Sequence, residues 1–201
     1  NVETPGTTIA IIAILSYLLG SIPFAYLLTR IAGLDDIRNV GSGNVGATNV
    51  LRTGHKGIAA ATLILDAAKG AAPVLALIVW PVGHADLGLM AGLAAILGHN
   101  FPVWLKFQGG KGFATTVGAL LAIAWPVGLS YCVIWLVMLA LFRFSSLATI
   151  TALAITPVFA FAAADKKVSA LVGLLAVLGI ARHHANLRRL IRGTESKVGS
   201  G

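Results

Sequence analysis

Residues 7–28 read "TTIAIIAILSYLLGSIPFAYLL", a stretch without a single charged side chain. A helix needs about 20 mainly apolar residues to cross the hydrocarbon core of a bilayer. The rest of the chain agrees, because 57% of its 201 residues are hydrophobic and only 11% are charged. Soluble domains carry about 25% charged residues, enough to cover a globule. The sequence therefore predicts an all-α polytopic membrane protein.

Further apolar stretches predict the other membrane-spanning helices. The segment 112–142 is the ambiguous one, because a single helix there would extend about 46 Å across a core of about 30 Å. Pro126 lies near its middle and interrupts helical hydrogen bonding, so two shorter helices are expected. The remaining spans are predicted at residues 57–80, 87–105, 145–164 and 168–181.

An arrangement of seven helices also places most of the basic residues on one side of the membrane. The formal charge of +8 is then explained by the orientation of the protein in the membrane, since Lys and Arg collect in cytoplasmic loops. Binding to nucleic acid is not needed to explain it. One side receives most of the basic residues; the other receives Lys166, Lys167, Glu3, Asp86 and Asp165. This predicts an outside N-terminus, a cytoplasmic C-terminus and three polar segments (39–56, 98–111 and 182–195) at one surface. Residues 1–195 are expected to form a single domain, and 196–201 an added or disordered tail.

The first polar segment contains "NVGSGNVGATNVLR", residues 39–52. Its glycines allow backbone N–H groups to converge on an anion, and a helix beginning in "ATNVLR" would favour phosphate at its N-terminus. The match to G-x-G-x-x-G lacks the βαβ context of a dinucleotide site. The alternative is an ordinary polar turn. Further donors come from Ser42, Asn44, Thr48 and Asn49.

The second and third segments offer cations and imidazoles. "GGKG", residues 109–112, places Lys111 between glycines expected to be flexible, with His99 and Asn100 just upstream; the alternative is a snorkelling lysine. In "RHHANLRRLIRGTE", residues 182–195, His183 and Asn186 share a helix face. Arg182, Arg189 and Arg192 are interpreted as facing lipid headgroups. A metal site is not expected, because the two histidines lack a third convergent ligand.

Two charges fall inside a predicted span. Asp66 and Lys69 are expensive in hydrocarbon and therefore suspected of function. We expect them to pair with each other, with Arg52 or with His99, in support of the site. Cys132, the only cysteine, is expected to pack in an apolar run.

Four blocks in order, "RNVGSGNVGATNVLR", "DAAKG", "GHNFPVWLKFQGGKGFAT" and "RHHANLRRLIRGTE", resemble the bacterial integral-membrane acyl-phosphate:glycerol-3-phosphate acyltransferases of the PlsY type. The resemblance implies a seven-helix fold in the inner membrane with a cytoplasmic active site. It implies acyl transfer from acyl phosphate to glycerol 3-phosphate without a cofactor, giving lysophosphatidic acid and phosphate. An upstream enzyme that forms acyl phosphate would be a functional partner.

The resemblance also implies residue roles. Arg52, Lys111, His183 and Asn186 would bind glycerol 3-phosphate, while Ser42, Lys111 and His183 would act in catalysis. Asp66, Lys69, His99 and Asn100 would support the site. The acyl-phosphate loop would comprise Gly41, Ser42, Gly43, Asn44, Gly46, Thr48 and Asn49.

Two other functions compete with this interpretation. A transporter for a phosphate-bearing anion should carry charges or broken helices at its midplane, where Asp66, Lys69 and the Trp125-Pro126 pair are the candidates. An acyl-CoA-dependent acyltransferase should carry H-x-x-x-x-D, which this sequence lacks. The base for the reaction is also open, since either His183 or a phosphate oxygen of the acyl donor could take the hydroxyl proton.

Overall fold

The computed structural model describes residues 5–79 and 85–199. Those residues contain ten α-helices, two short 3-10 helices and no β-strand. Glu3 and Trp80, which entered the predicted charge balance and span boundaries, lie outside the described residues. The helices are α1 (Gly6–Gly20), α2 (Phe24–Ile31), α3 (Ala47–Leu51), α4 (Lys56–Ile78), α5 (Ala85–Asn100), α6 (Phe113–Ile123), α7 (Trp125–Phe142), α8 (Ser145–Ala163), α9 (Lys166–Arg182) and α10 (His184–Ile191).

The helices are long and apolar enough for a membrane bundle. Five segments could each cross a bilayer: α1 with α2, α4, α5 with the turn after it, α7, and α8. Helices α9 and α10 form a further candidate, bent by 60° at their junction, and α6 is a shorter apolar helix. The prediction of an all-α polytopic membrane protein is confirmed.

The predicted break within residues 112–142 is also confirmed. Helix α6 ends at Ile123 and α7 begins at Trp125, with Ala124 in a non-helical conformation (φ −150°, ψ 86°) between them. Pro126 lies in the first turn of α7, where its missing N–H leaves no hydrogen bond unmade. Gly128 then packs directly on the backbone of Leu121, so α7 can fold back along α6.

Two predicted continuous helices are broken. The first apolar stretch ends as a helix at Gly20 and resumes at Phe24, because Pro23 biases the residue before it away from the helical region. His183 and Asn186 were expected to share a helix face, but the chain turns at His183, which lies between α9 and α10, and only Asn186 is within a helix. In both places the break lies beside a polar segment.

Glycines set the closest helix contacts. Gly70 of α4 lies against the backbone of Thr115 in α6, and Gly118 of α6 lies against the backbone of Ala67 in α4. A side chain at either glycine would overlap main-chain atoms of the facing helix. Membrane helices associate through small residues that let backbones approach, so this reciprocal pair fixes α6 against α4.

The same arrangement joins α1 to α5. Gly20 lies against the backbone of Ala95, and Gly98 lies against the carbonyl oxygen of Tyr17. These contacts hold the C-terminal end of α5 beside the break after α1. The glycine-containing turns that follow α5 are therefore anchored to a rigid part of the bundle.

Apart from the buried Asp66 and Lys69 of α4, charged residues lie at both ends of the bundle. At one end Lys167 Nζ lies 2.7 Å from an oxygen of Asp86, with both side chains largely exposed. At the other end Arg182 donates hydrogen bonds to the carbonyl oxygens of Gly109 and Gly110. The three polar segments are together at this second end, as the sequence predicted.

Candidate active site

A cavity of about 320 Å³ lies where the three polar segments meet. Most of the predicted site residues line it, while Gly41, Gly43, Lys69 and Asn100 do not. Its predicted lining residues are Ser42, Asn44, Gly46, Thr48, Asn49, Arg52, Asp66, His99, Lys111, His183 and Asn186. It is also lined by residues that the sequence analysis did not assign to a site, among them Lys56, Phe113, Trp135, Ser145, Ser146, Thr149 and Glu195.

Asn49 organises the glycine-rich loop from its centre. Its buried side chain donates both amide hydrogens, to the carbonyl oxygens of Ile37 (3.0 Å) and Val40 (2.9 Å). Its Oδ1 accepts from the backbone N–H of Ser42 at 3.1 Å. Asn49 therefore shapes the loop, and its two amide hydrogens are already engaged within the protein.

Two glycines of this loop have conformations that other residues rarely adopt. Gly41 and Gly43 have φ values of 53° and 68°. A side chain at Gly41 would also come within 2.6 Å of Asn49 Oδ1. Both glycines shape the loop from outside the cavity. The following helix α3 begins at Ala47 without a side-chain cap, so its first N–H groups at the cavity wall are suited to an anion.

The expectation that the glycines of the "GGKG" turn are flexible is wrong, because the turn is tightly packed. A side chain at Gly109 would collide with the carbonyl oxygen of His99, and one at Gly110 would collide with the His99 ring. Gly112 has φ 83° and lies against Asn100, which is buried. The end of α5 therefore holds the turn that carries Lys111.

Arg182 holds the same turn from the other side. Its guanidinium donates to the carbonyl oxygens of Gly109 and Gly110, at 3.0 Å each, and lies 5.0 Å from the centre of the Phe101 ring. The interpretation of Arg182 as a residue facing lipid headgroups is therefore wrong. In the sequence, the sign of this role was that Arg182 stands directly before His183. The charge pattern alone could not show that Arg182 holds the "GGKG" turn.

The predicted pairing of the intramembrane charges is confirmed. Lys69 Nζ lies 2.8 Å from Asp66 Oδ1 and donates to the carbonyl oxygen of Ile22 at 2.7 Å. His99 Nδ1 is 3.6 Å from the same carboxylate oxygen. All three side chains are buried. The group connects α4 to the end of α5 and supports the ring against which Gly110 packs.

His183 and Asn186 line the cavity together, as predicted. His183 Nδ1 lies 2.7 Å from the carbonyl oxygen of Gly179; a carbonyl only accepts, so Nδ1 carries the proton and Nε2 of the neutral ring is an acceptor. Asn186 Nδ2 donates to Glu195 Oε1 at 2.6 Å. Both side chains are held in place before any ligand arrives.

Glu195 is the residue that sequence reasoning most clearly missed. It accepts hydrogen bonds from Ser146 Oγ at 2.7 Å, Asn186 Nδ2 at 2.6 Å and Arg189 Nε at 2.6 Å. Burial disfavours its charge, but these three donors outweigh burial and lower its pKa below the usual value. Arg189 is thus paired with Glu195, and its interpretation as a headgroup contact is wrong.

Lys111 is the cation most affected by the cavity. Burial, and after it the nearby charge of Arg189, lower the pKa of Lys111 to about 8. Its ammonium is therefore charged at neutral pH but incompletely solvated, which favours an anionic ligand. Arg52 and Lys56 line the same space. The fold and this cavity define a multi-pass membrane protein with a cavity lined by cations, and so suited to an anionic ligand, at one end of its helix bundle.

Comparison with known proteins identifies the family. The sequence profile of the glycerol-3-phosphate acyltransferases matches residues 10–193. The glycerol-3-phosphate acyltransferase of Rhodospirillum rubrum is 52% identical over 202 residues, covering 98% of this chain and 94% of the relative. The chain therefore belongs to the glycerol-3-phosphate acyltransferase family and is an enzyme, an integral-membrane acyltransferase of phospholipid biosynthesis.

Two solved structures show the same fold. Crystal structures of PlsY, an integral membrane glycerol 3-phosphate acyltransferase, are similar over 96% of both chains. The glycerol 3-phosphate form has a TM-score of 0.89 at 38% identity. The lysophosphatidic acid form has a TM-score of 0.87 at 36% identity. The resemblance derived from the four sequence blocks is confirmed.

Proposed function

We propose that this enzyme transfers a fatty acyl group from acyl phosphate to the 1-hydroxyl of sn-glycerol 3-phosphate. The products would be 1-acylglycerol 3-phosphate (lysophosphatidic acid) and inorganic phosphate, which opens phospholipid synthesis. The observation that carries the proposal is the convergence of the glycine-rich loop, Lys111 and the His183–Asn186 pair on one cavity. The glycerol 3-phosphate and lysophosphatidic acid forms of the similar PlsY structures support the acceptor and the product.

The cavity offers two regions for two phosphates. The loop residues Ser42, Asn44, Gly46 and Thr48 line one region, where the acyl-donor phosphate would bind, while Gly41, Gly43 and Asn49 hold the loop in shape. The other region would bind glycerol 3-phosphate through Arg52, Lys111, His183 and Asn186. Two phosphates repel each other, so the cations between them are needed to bring the hydroxyl close to the carbonyl carbon.

The chemistry needs no covalent intermediate, because acyl phosphate is already an activated mixed anhydride. The hydroxyls at the cavity have other partners: Ser42 Oγ lies 3.3 Å from Asn49 Oδ1, Ser145 Oγ lies 3.2 Å from Thr48 Oγ1, and Ser146 Oγ donates to Glu195. The acceptor hydroxyl would attack the carbonyl carbon as the C–O bond to phosphate breaks. Holding both reactants in this geometry can supply several kcal/mol of barrier lowering.

The catalytic roles that we propose follow from the atoms on which charge develops during the reaction. Lys111 would neutralise the departing phosphate, and the Ser42 hydroxyl would exchange its 3.3 Å contact with Asn49 Oδ1 for a hydrogen bond to an oxygen of the acyl donor. The proton of the attacking 1-hydroxyl would pass to an oxygen of the donor phosphate, while His183 Nε2, an acceptor, would take a hydrogen bond from the 2-hydroxyl and so orient the glycerol 3-phosphate. The alternative is direct proton transfer to His183 Nε2, which is free of the Gly179 contact made by Nδ1.

The membrane arrangement belongs to the same proposal. Seven spans, counting α6 and the bent α9–α10 pair with the five long candidates, would place the N-terminus outside and the C-terminus in the cytoplasm. The cavity would then open to the cytoplasmic side of the bacterial inner membrane. There it would receive soluble glycerol 3-phosphate and an acyl phosphate formed by an upstream enzyme.

The testing experiment measures phosphate release by the purified protein in detergent. Palmitoyl phosphate is supplied with and without glycerol 3-phosphate, and palmitoyl-CoA is the parallel donor. We expect phosphate and lysophosphatidic acid only when palmitoyl phosphate and glycerol 3-phosphate are both present. Turnover with the CoA thioester instead, or uptake of phosphate into vesicles without acyl transfer, would contradict the proposal.

A further inference from the structure

The last described residues form a strap beside the cavity, and its residues 196–199 belong to the segment expected to be an added or disordered tail. This C-terminal strap, residues 195–199, lies along the α7–α8 turn, residues 143–146. Glu195 accepts from Ser146 Oγ at 2.7 Å, and Lys197 Nζ lies 5.6 Å from the centre of the Phe144 ring. Successive strap residues thus contact successively earlier residues of the turn, in the register of an antiparallel pair.

Arg143 makes the last contacts between the turn and the strap, at the end of the strap that is farther from Glu195. The backbone N–H of Val198 donates to the Arg143 carbonyl oxygen at 2.7 Å, and Arg143 Nη2 donates to the Val198 carbonyl oxygen at 3.1 Å. A side chain at Gly199 would come within 3.3 Å of the same guanidinium. Arg143 therefore holds the strap through both its main chain and its side chain.

The backbone of the turn is shaped for this contact. Arg143 has a positive φ of 64°, and Phe144 is extended, with φ −103° and ψ 107°. A non-glycine residue with positive φ is uncommon and is kept where surrounding contacts select it. On its opposite side the turn contacts the glycine-rich loop, because Ser145 Oγ lies 3.2 Å from Thr48 Oγ1. The turn therefore connects the strap to the acyl-phosphate region.

The strap places the carboxylate of Glu195 at the cavity. Glu195 lines the cavity and joins Ser146, Asn186 and Arg189 in one network. It lies after the last residue of α10, in a segment without helical hydrogen bonding. The family profile ends at residue 193, before the strap. The strap contacts with the turn therefore add to the three hydrogen bonds of Glu195 in holding its carboxylate in position.

We propose that Arg143 is a positioning residue that acts through the strap: it docks residues 197–199, which hold Glu195 on Ser146 and Asn186 and so set the affinity for glycerol 3-phosphate. This inference rests on the proposed function, because it assumes that Asn186 contacts the acceptor. Arg143 itself does not line the cavity.

Two variants remove the docking by different routes. Arg143→Gly removes the guanidinium while favouring the positive φ, and a chain ended after Ser196 removes the partners of Arg143. Each should raise KM for glycerol 3-phosphate about ten-fold, as expected for loss of a charge-assisted hydrogen bond. KM for palmitoyl phosphate and kcat should stay within about two-fold.

The control variants distinguish an effect of strap docking from an effect of lost positive charge and from a general loss of stability. Arg192→Gly removes an exposed arginine from the helix end just before the strap and should leave both KM values unchanged. Val198→Ala keeps the backbone groups that contact Arg143 and should also behave as the parent. The KM effect should persist between low and high salt, because screening weakens long-range charge effects but not loss of docking.

A double-mutant cycle tests whether Arg143 acts through Glu195. In a Glu195→Gln background, Arg143→Gly should have little further effect on KM, because the group it positions is already altered. If the parent enzyme lacks the proposed activity, the proposed function fails. If the parent is active but both docking variants keep its KM, lose kcat at unchanged KM, or fail to fold, the positioning role is overturned.

Discussion

At the scale of single residues, Lys111 shows how packing creates a binding group. It stands between Gly110, which lies against the His99 ring, and Gly112, whose positive φ lets the chain turn beside Asn100. These neighbours leave the ammonium with few positions, so it is held at the cavity without being fully hydrated. A surface lysine would lose more side-chain entropy on binding the same phosphate.

The pKa of Lys111 predicts a pH dependence. Burial, followed by the charge of Arg189, lowers this pKa to about 8, so the charged form predominates below pH 8 and is lost as the pH rises through that value. The pH dependence of kcat/KM for glycerol 3-phosphate reports the pKa values of groups in the free enzyme. We expect kcat/KM to fall by up to about ten-fold per pH unit above pH 8.

Lys111→Arg should remove this alkaline decrease, because a guanidinium stays protonated throughout the range. Lys106→Arg is the matched control, since Lys106 is exposed on the same loop, and it should keep the parent profile. The measurement is initial rate at limiting glycerol 3-phosphate from pH 6 to pH 10, corrected for spontaneous hydrolysis. An unchanged decrease in Lys111→Arg would exclude Lys111 as its source.

His183 distinguishes the two possible bases. If a phosphate oxygen of the donor takes the proton, His183→Gln should lower kcat by less than about ten-fold, because only the orientation of glycerol 3-phosphate is lost. Steady-state kinetics with both substrates saturating gives the result. A loss of several orders of magnitude at unchanged substrate affinity would instead assign the base to His183.

At the scale of elements, paired glycines decide which helices touch. Gly70 and Gly118 face each other's helices across the α4–α6 contact, and each lies against main-chain atoms. Helix α4 carries Asp66, and the N-terminal end of α6 follows Lys111. The spacing between these two helices therefore sets the distance between the buried ion pair and the turn that carries Lys111.

Substitution of these glycines tests that contact. Gly118→Ala should destabilise the protein by about 1–3 kcal/mol, because the new methyl group overlaps the Ala67 backbone and forces the helices apart. Gly173→Ala is the matched control, since no neighbouring atom lies within 4 Å of the added carbon. Thermal unfolding in detergent should show a lower Tm for Gly118→Ala alone; equal Tm values would contradict tight packing.

At the scale of the whole molecule, the fold brings together segments that are far apart in the chain. The glycine-rich loop precedes α3, the "GGKG" turn precedes α6, and His183 joins α9 to α10. Each lies at a place where a helix ends or breaks, and all three breaks fall at the same end of the bundle. Irregular backbone is tolerated at membrane depth where it lines a cavity.

Cysteine labelling tests the proposed orientation. In a Cys132→Ala background, Asp35→Cys and Lys166→Cys introduce exposed thiols on loops assigned to opposite sides. A membrane-impermeant maleimide applied to intact cells should label position 166 at once and position 35 only after permeabilisation. The reverse pattern would invert the topology, and labelling of both positions in intact cells would reject the seven-span count.

Local sequence was sufficient for the class, the family and most of the residues that line the candidate site. Long uncharged stretches can bury their backbone in lipid only as helices, and Pro126 marks a helix end by chemistry that acts within a few residues. The glycine-rich loop, Lys111 and His183 were recognisable because their side chains and spacing suit phosphate. The pairing of Asp66 with Lys69 followed from the cost of leaving either charge alone in hydrocarbon.

Contacts between distant segments required the tertiary structure. Arg182 and Arg189 looked like headgroup contacts because a charge pattern cannot show which carbonyl oxygen or carboxylate will lie nearby; the fold brings Gly109, Gly110 and Glu195 to them. Asn49 looked like a free donor until folding engaged its amide with Ile37 and Val40. A side chain's hydrogen-bonding partners depend on how the helices pack, and that packing depends on the whole chain.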